Sequence, residues 1–299
     1  MIGLGPVVAT STGFSWDPVT DLRQMLAFEF MRNAFVAGAV VAVVAGVVGY
    51  FVVLRRTAFA AHALSHIGFA GAAGAVAIGV NPLWGLLAFC LSSGAVIGGL
   101  GQRLRDRDTV IGIVLAFALG LGALFISFYS GNSNEAISIL FGEILGVSSG
   151  DVALTAVIGV VTLALVAAMY RPLLFSSVDE DVAQARRVPV RVLSVVFMMT
   201  VALAVAVSVQ VVGVLLIFAL IVTPAAVAER VSRSPGQALV VGVVVALLST
   251  WIGLAISFYV DYPVSFFITA LSFGAYVVVR CTSWLGARSR ARRAQVAVA

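Results

Sequence analysis

AFVAGAVVAVVAGVVGYFVVLRR, residues 34–56, opens with 21 consecutive residues that carry no charge and closes on two arginines. A helix of that length rises about 30 Å, the thickness of a bilayer's hydrocarbon core. Eight further stretches repeat the pattern, at 58–79, 83–101, 109–129, 151–169, 190–208, 211–228, 238–258 and 264–280. The chain therefore reads as an all-α integral membrane protein with about nine transmembrane helices. The sixth and seventh stretches meet near Ser208–Gln210. There the pattern fits two short tilted helices or one broken one.

Composition agrees. Of 299 residues, 62% are hydrophobic and 10% charged, and the mean hydropathy is +1.13; soluble chains carry about 25% charged residues. All 18 basic residues are arginine. Without lysine the chain has no P-loop for ATP and no Schiff-base chemistry. Two cysteines, Cys90 and Cys281, and two histidines, His62 and His66, exclude multi-cysteine zinc sites and haem attachment. The first 20 residues lack the basic start and apolar core of a cleavable signal peptide.

The arginines sort by side. Sixteen of the 18 fall in alternate connections, around 55–56, 103–107, 171–191, 230–233 and 280–293, and only Arg23 and Arg32 lie across the membrane from them. The positive-inside rule puts those connections in the cytoplasm, the N-terminus outside and the C-terminus inside a bacterial cell membrane. The outer side then holds seven acids against the two arginines: Asp17, Asp21, Glu29, Glu135, Glu143, Asp151 and Asp261. The high pI is thus a mark of topology and not of nucleic-acid binding. Residues 1–33 form an outer segment, with 15–32 as an interfacial amphipathic helix anchored by Trp16. Residues 34–280 form the membrane-spanning bundle, and 281–299 a basic cytoplasmic tail expected to be unstructured. Within the outer connection 130–150, the apolar piece Ile137–Leu145 is too short to span. Small residues, such as Gly94 with Gly98 and the Gly68/Gly71/Gly74 series, predict closely packed helices.

Polar residues inside spans mark functional sites. His62 and His66, in FAAHALSHIGFAG, stand four apart on one helix face, a spacing at which two imidazoles can hold one metal ion. The same pair also fits a polar packing seam. Ser65, a carboxylate, a carbonyl or water is needed to complete a metal site, and an incomplete site suits an ion that must leave again. A metal takes the neutral imidazole, so contact weakens as pH falls through about 6.5. Thr223–Pro224 interrupts the seventh span, which frees a backbone carbonyl for a pathway or simply shapes the packing. Asp261 is a further gating or docking candidate near the outer surface. In the cytoplasmic segment FSSVDEDVAQARRVPVR, Ser177 and Glu180 have capping-box spacing and Pro189 limits the helix. A polar helix of about ten residues over 178–188 is expected, a solvated connector or a handle for a motor subunit.

In order along the chain, FVVLRRTAFAAHALSHIGFAG, RDTVIGI, ILFGEILGVSSGDV, VDEDVAQARRVPV, VVGVLLIFALIVTPAAVAER and the Asp261-Tyr262-Pro263 corner resemble the permease subunits of ABC-3 family metal importers. The resemblance implies a homodimer with its pathway on the two-fold axis, two cytoplasmic ATPases, and an extracytoplasmic binding protein that delivers zinc, manganese or iron as cargo. No permanently bound cofactor is implied, and the chain itself is a transporter and not an enzyme. In relatives the residue at His62 is commonly Asp, in a D-x-x-x-H pattern, and His66 matches the family histidine. Paired imidazoles favour zinc over manganese. Asp179, Glu180, Asp181, Ala183, Arg186 and Arg187 match the helix that sits in the ATPase cleft; relatives often carry Gly at Arg187. A secondary transporter or channel is the competing reading, but it calls for carboxylates deep in the spans. An intramembrane metalloprotease fails because Ala63 stands where H-E-x-x-H needs its Glu.

The topology is checked by cysteine labelling from outside the cell. Reagents reach cysteines placed at Asn132 and Tyr262 but not at Gln102 or Ser234, and outside labelling at Gln102 would reverse the orientation.

Overall fold

The computed structural model describes residues 18–100, 107–128, 142, 144–260 and 262–298, with side chains described for all of these but 18–20, 107, 215 and 285–298. Trp16, Glu143, Asp261 and residues 129–141 of the connection expected to hold a short apolar piece lie outside the described residues, while Ile144–Gly146 at its end form a single 3-10 turn with Ile144 buried. Among the described residues there are eleven α-helices: α1 Pro18–Ala27, α2 Glu29–Leu54, α3 Ala58–Ala77, α4 Pro82–Gly99, α5 Arg107–Phe128, α6 Ser149–Val178, α7 Glu180–Ala185, α8 Val190–Val212, α9 Val214–Val231, α10 Pro235–Tyr259 and α11 Val264–Val298. Eight of these (α2–α6, α8, α10 and α11) are long and apolar enough to cross a membrane. The ninth long helix, α9, stands where the seventh span is expected and runs 18 residues through Pro224.

Several boundaries differ from the expectation, each for a local reason. The interfacial stretch is two helices: Phe28 is extended at φ −88 and ψ 130, so Glu29–Arg32 already belongs to α2. The sixth and seventh spans do not part at Ser208–Gln210. α8 runs on to Val212 and ends at Gly213, whose φ of 81 suits glycine. α11 continues past Arg280 through Val298 instead of giving way to an unstructured tail, in keeping with residues rich in Ala and Arg, both strong helix formers.

The bundle is arranged around α2, α3 and α8. Their apolar windows are 67%, 72% and 72% buried, against 17% for α5 and α11 at the periphery. Glycine decides how near the helices come. A Cβ on Gly49 would run into the Ile221 carbonyl of α9, and one on Gly46 would sit 2.8 Å from Val243 Cα of α10. On α4, Gly98 and Gly94 meet α8 in the same way, Gly98 within 2.6 Å of Val195 Cα. Gly71 of α3 and Gly85 of α4 each face the other's carbonyl. These are backbone-to-backbone contacts of the kind lipid-embedded helices use, since lipid supplies no hydrophobic drive between them.

Near the end of α8, Gln210 Nε2 donates to Asp151 Oδ1 at 3.2 Å and ties that helix to the start of α6. Ser148 and Asp151 close a reciprocal capping box there.

Gly49→Ala therefore forces α2 and α9 apart, with an expected loss of about 1–3 kcal/mol. Gly120→Ala, at a position with no neighbour within 4 Å, is expected to cost nothing. Thermal unfolding of the purified protein in detergent compares the two.

Candidate metal pathway

The histidine pair sits in the second and third turns of α3, just beyond the turn that joins it to α2. That turn is a Schellman motif: Thr57 N–H donates to Val52 O at 2.9 Å and Arg56 N–H to Val53 O at 3.0 Å. Arg56 holds the left-handed position between them, at φ 54. The helix is then aimed so that His62 and His66 project from one face, half-buried, with ring centroids 4.7 Å apart and edge to face. Phe218 of α9 closes on the other side of His62, its ring centroid 4.6 Å away. The Nδ1 of His62 is buried and has no hydrogen-bond partner. A buried polar atom left so costs of order 1–3 kcal/mol unless something engages it. An imidazole nitrogen turned inward without a donor or acceptor is what a ligand to a passing cation needs.

Ser65, three residues after His62 on α3, is buried, and its Oγ donates to the Ala61 carbonyl at 3.1 Å. Cys90 packs behind the pair, donating from Sγ to Leu64 O at 3.4 Å and filling the space over Gly68. Thr223 and Pro224 lie farther along α9 than Phe218. The Pro224 carbonyl sits 3.9 Å from where a Gly242 Cβ would be, so this part of α9 is shaped against α10. Asp261 lies outside the described residues. Among the described residues no third His, Cys, Asp or Glu joins the histidines in a group able to hold a metal. The described residues of one chain thus bring two imidazoles together here.

Phe218 and Arg55 were not legible as site residues in the sequence. Arg55, the last residue before the left-handed turn, is 6% exposed. Its Nη1 donates to Ser176 Oγ at 2.9 Å and Ser177 Oγ at 3.4 Å, and its Cζ lies 5.5 Å from the centre of the Phe197 ring. The final turn of α6 is therefore fixed to the turn that launches the histidines.

Immediately after that final turn comes the polar connecting helix. It is shorter than expected. Ser177 is still inside α6, its hydroxyl donating to Leu173 O at 2.6 Å, so it cannot cap the next helix. Asp179 does so, its Oδ1 accepting from Val182 N–H at 3.0 Å. α7 covers six residues and ends in a second Schellman motif, with Val188 N–H donating to Ala183 O at 3.0 Å and Arg187 in the left-handed position at φ 62. That geometry accounts for the glycine that relatives place there. Ala183 is buried against the bundle and so is not on the docking surface; Asp179, Asp181, Arg186 and Arg187 are exposed and Glu180 half-buried. Val178 and Val182, 79% and 45% exposed, add an apolar element that the charges had masked.

Comparison with known proteins bears on this arrangement. The model of the ABC 3 transport family matches residues 27–283. The manganese transport system membrane protein MntC of Listeria monocytogenes is 32% identical over 238 residues, covering 79% of this chain and 85% of its own. The manganese import system permease protein ScaB of Streptococcus parasanguinis is 31% identical over 238 residues, with coverage of 79% and 85%. The solved structure of PsaBC from Streptococcus pneumoniae in complex with Fab superposes with a TM-score of 0.78 at 28% identity, over 87% of this chain and 94% of that one.

Arg55→Ala removes the bonds to Ser176 and Ser177. An expected loss of about 1.5–3 kcal/mol follows from hydrogen bonds made by a charged group, measured by thermal unfolding. Arg55→Lys restores part of it, because a single ammonium reaches one hydroxyl more readily than two.

Proposed function

The chain belongs to the ABC 3 transport family as the membrane permease of a metal ABC transporter, and we propose that its cargo is zinc in preference to manganese, carried through a homodimer that separate ATPase subunits drive. The observation that carries this reading is the inward-facing, unpartnered His62 Nδ1 beside His66. Two imidazoles are too few to hold a metal. A second copy on a two-fold axis doubles them to four, a number that suits tetrahedral zinc. Imidazole donors also rank zinc above manganese, which prefers carboxylate and water. The manganese named for MntC and ScaB supports manganese as the competing cargo. His62, where the family pattern that the chain resembles has Asp, is a change from oxygen to nitrogen donor.

Energy enters from the cytoplasmic side. The exposed surface of α7, with Val182 flanked by Asp181 and Arg186, is the part of the chain that the ATPase grips. Motion there passes through Ser176 and Ser177 to Arg55, and so to the α2–α3 turn seven residues before His62. Binding is then tightened or released by tilting α3 against Phe218. The extracytoplasmic metal-binding protein delivers the ion to the opposite, acid-rich side, which on the positive-inside reading faces outward.

Uptake of zinc and of manganese by cells carrying each variant at the native locus tests the whole reading. His66→Ala abolishes uptake of both ions. His62→Asp keeps transport and moves the preference toward manganese. Val182→Asp stops transport while the permease stays folded and membrane-inserted. Undiminished uptake by the His62→Ala/His66→Ala double variant would overturn the pathway; manganese uptake without zinc uptake by the native chain would overturn the cargo alone.

A further inference from the structure

α1 folds back on the bundle and leaves a groove of about 760 Å³ between itself, α2 and α10. That size falls within the roughly 300–1,000 Å³ of pockets that enclose small ligands. Its walls are apolar: Leu22 and Leu26 from α1, Val36 and Val40 from α2, Leu248 and Trp251 from α10. The single acid in the lining, Asp21, is 4% exposed and turned to the Tyr259 hydroxyl, so it does not make the groove polar. A groove of this kind beside two spanning helices opens to lipid.

Two arginines stand near the groove. Arg32 lies one helical turn before Val36, on the same face of α2, and Arg23 precedes Leu26 by three residues on α1. On the positive-inside reading they are the two arginines of 18 on this side of the membrane. Both are exposed, and neither has a carboxylate partner among the described residues. The nearby acid of α2, Glu29, accepts from Ser149 Oγ at 3.3 Å. Two exposed guanidiniums beside an apolar slot match an anionic amphiphile, with planar donors for a phosphate and a dry wall for a hydrocarbon chain. A second copy of the chain seated here on a two-fold axis would instead bring like charges together.

We propose that the groove between α1, α2 and α10 binds an anionic phospholipid from the leaflet on the α1 side, its acyl chain along Val36, Val40 and Trp251 and its phosphate on Arg32 and Arg23. The lipid would act as a wedge that holds α1 against α2 and α10. The positive charges that run against the chain's overall asymmetry acquire a reason by it.

Native mass spectrometry of the full-length protein in detergent tests this, with phosphatidylglycerol and phosphatidylcholine of identical acyl chains as probes. The native chain is expected to retain phosphatidylglycerol about tenfold more strongly, as one or two charge-assisted hydrogen bonds predict. Arg23→Gln/Arg32→Gln, at exposed positions, levels the two lipids without changing phosphatidylcholine retention. Ala255→Phe, which fills the groove, weakens both. Equal retention of the two lipids by the native chain overturns the headgroup site, as does an unchanged preference in the Gln pair. Undiminished retention by Ala255→Phe overturns the groove as the place of the chain.

Discussion

Gly49 of α2 lies against the Ile221 carbonyl of α9 with no room for a side chain between them, and much of the architecture depends on that approach. In lipid, helices gain nothing by hiding apolar surface from one another, so association rests on close packing of backbones. α2 provides it toward two helices: Gly46 against the Val243 backbone of α10 and Gly49 against α9. A helix held so closely along its length becomes the fixed element against which others are placed. α3 is carried on its end by the Schellman turn, and α6 is laid along its side with Gly159 against Val40.

The candidate pathway inherits its geometry from that frame. α9 is brought near α3 because α2 lets it in, and Phe218 reaches the His62 ring as a result. The break at Gly213 frees α9 from the line of α8, to which it would otherwise be a continuation. Transport needs a site that is held and also movable. The imidazoles stand on a helix with few bonds to α2 beyond the turn itself, while the turn is bonded through Arg55 to the end of α6. A single guanidinium thus lies between α7 and the histidines, in a buried setting where its hydrogen bonds are less exchanged with water than at a surface.

Charge is distributed with similar economy. Sixteen of the 18 arginines fall in alternate connections, and two of them, Arg56 and Arg187, also occupy left-handed turns at the ends of α2 and α7. A non-glycine residue in that conformation costs of order 1 kcal/mol, a strain tolerated at both turns. Arg23 and Arg32 stand apart from this pattern.

Much of this was legible in the sequence, because apolar runs, one-sided arginines and the i,i+4 histidines are local or one-dimensional patterns. Uninterrupted spans can only be helices in lipid, where each backbone group must find its partner within the segment. Spacing alone placed both histidines on one face, and composition alone removed ATP hydrolysis from the chain. What the residues opposite that face would be was not written locally. His62 meets Phe218 across 156 positions and Arg55 meets Ser176 across 121, contacts set by the rotation of whole helices about their axes. The same reason governs the corrections. Ala183 sits in a charged stretch yet faces the bundle. Ser177 had the spacing of a cap, but α6 had not ended there, because tertiary packing of Leu173 and Ser176 against the bundle extends that helix to Val178. Local chemistry determined which segments cross the membrane and which groups can bind a metal; only the packing of one helix on another decided which of those groups meet.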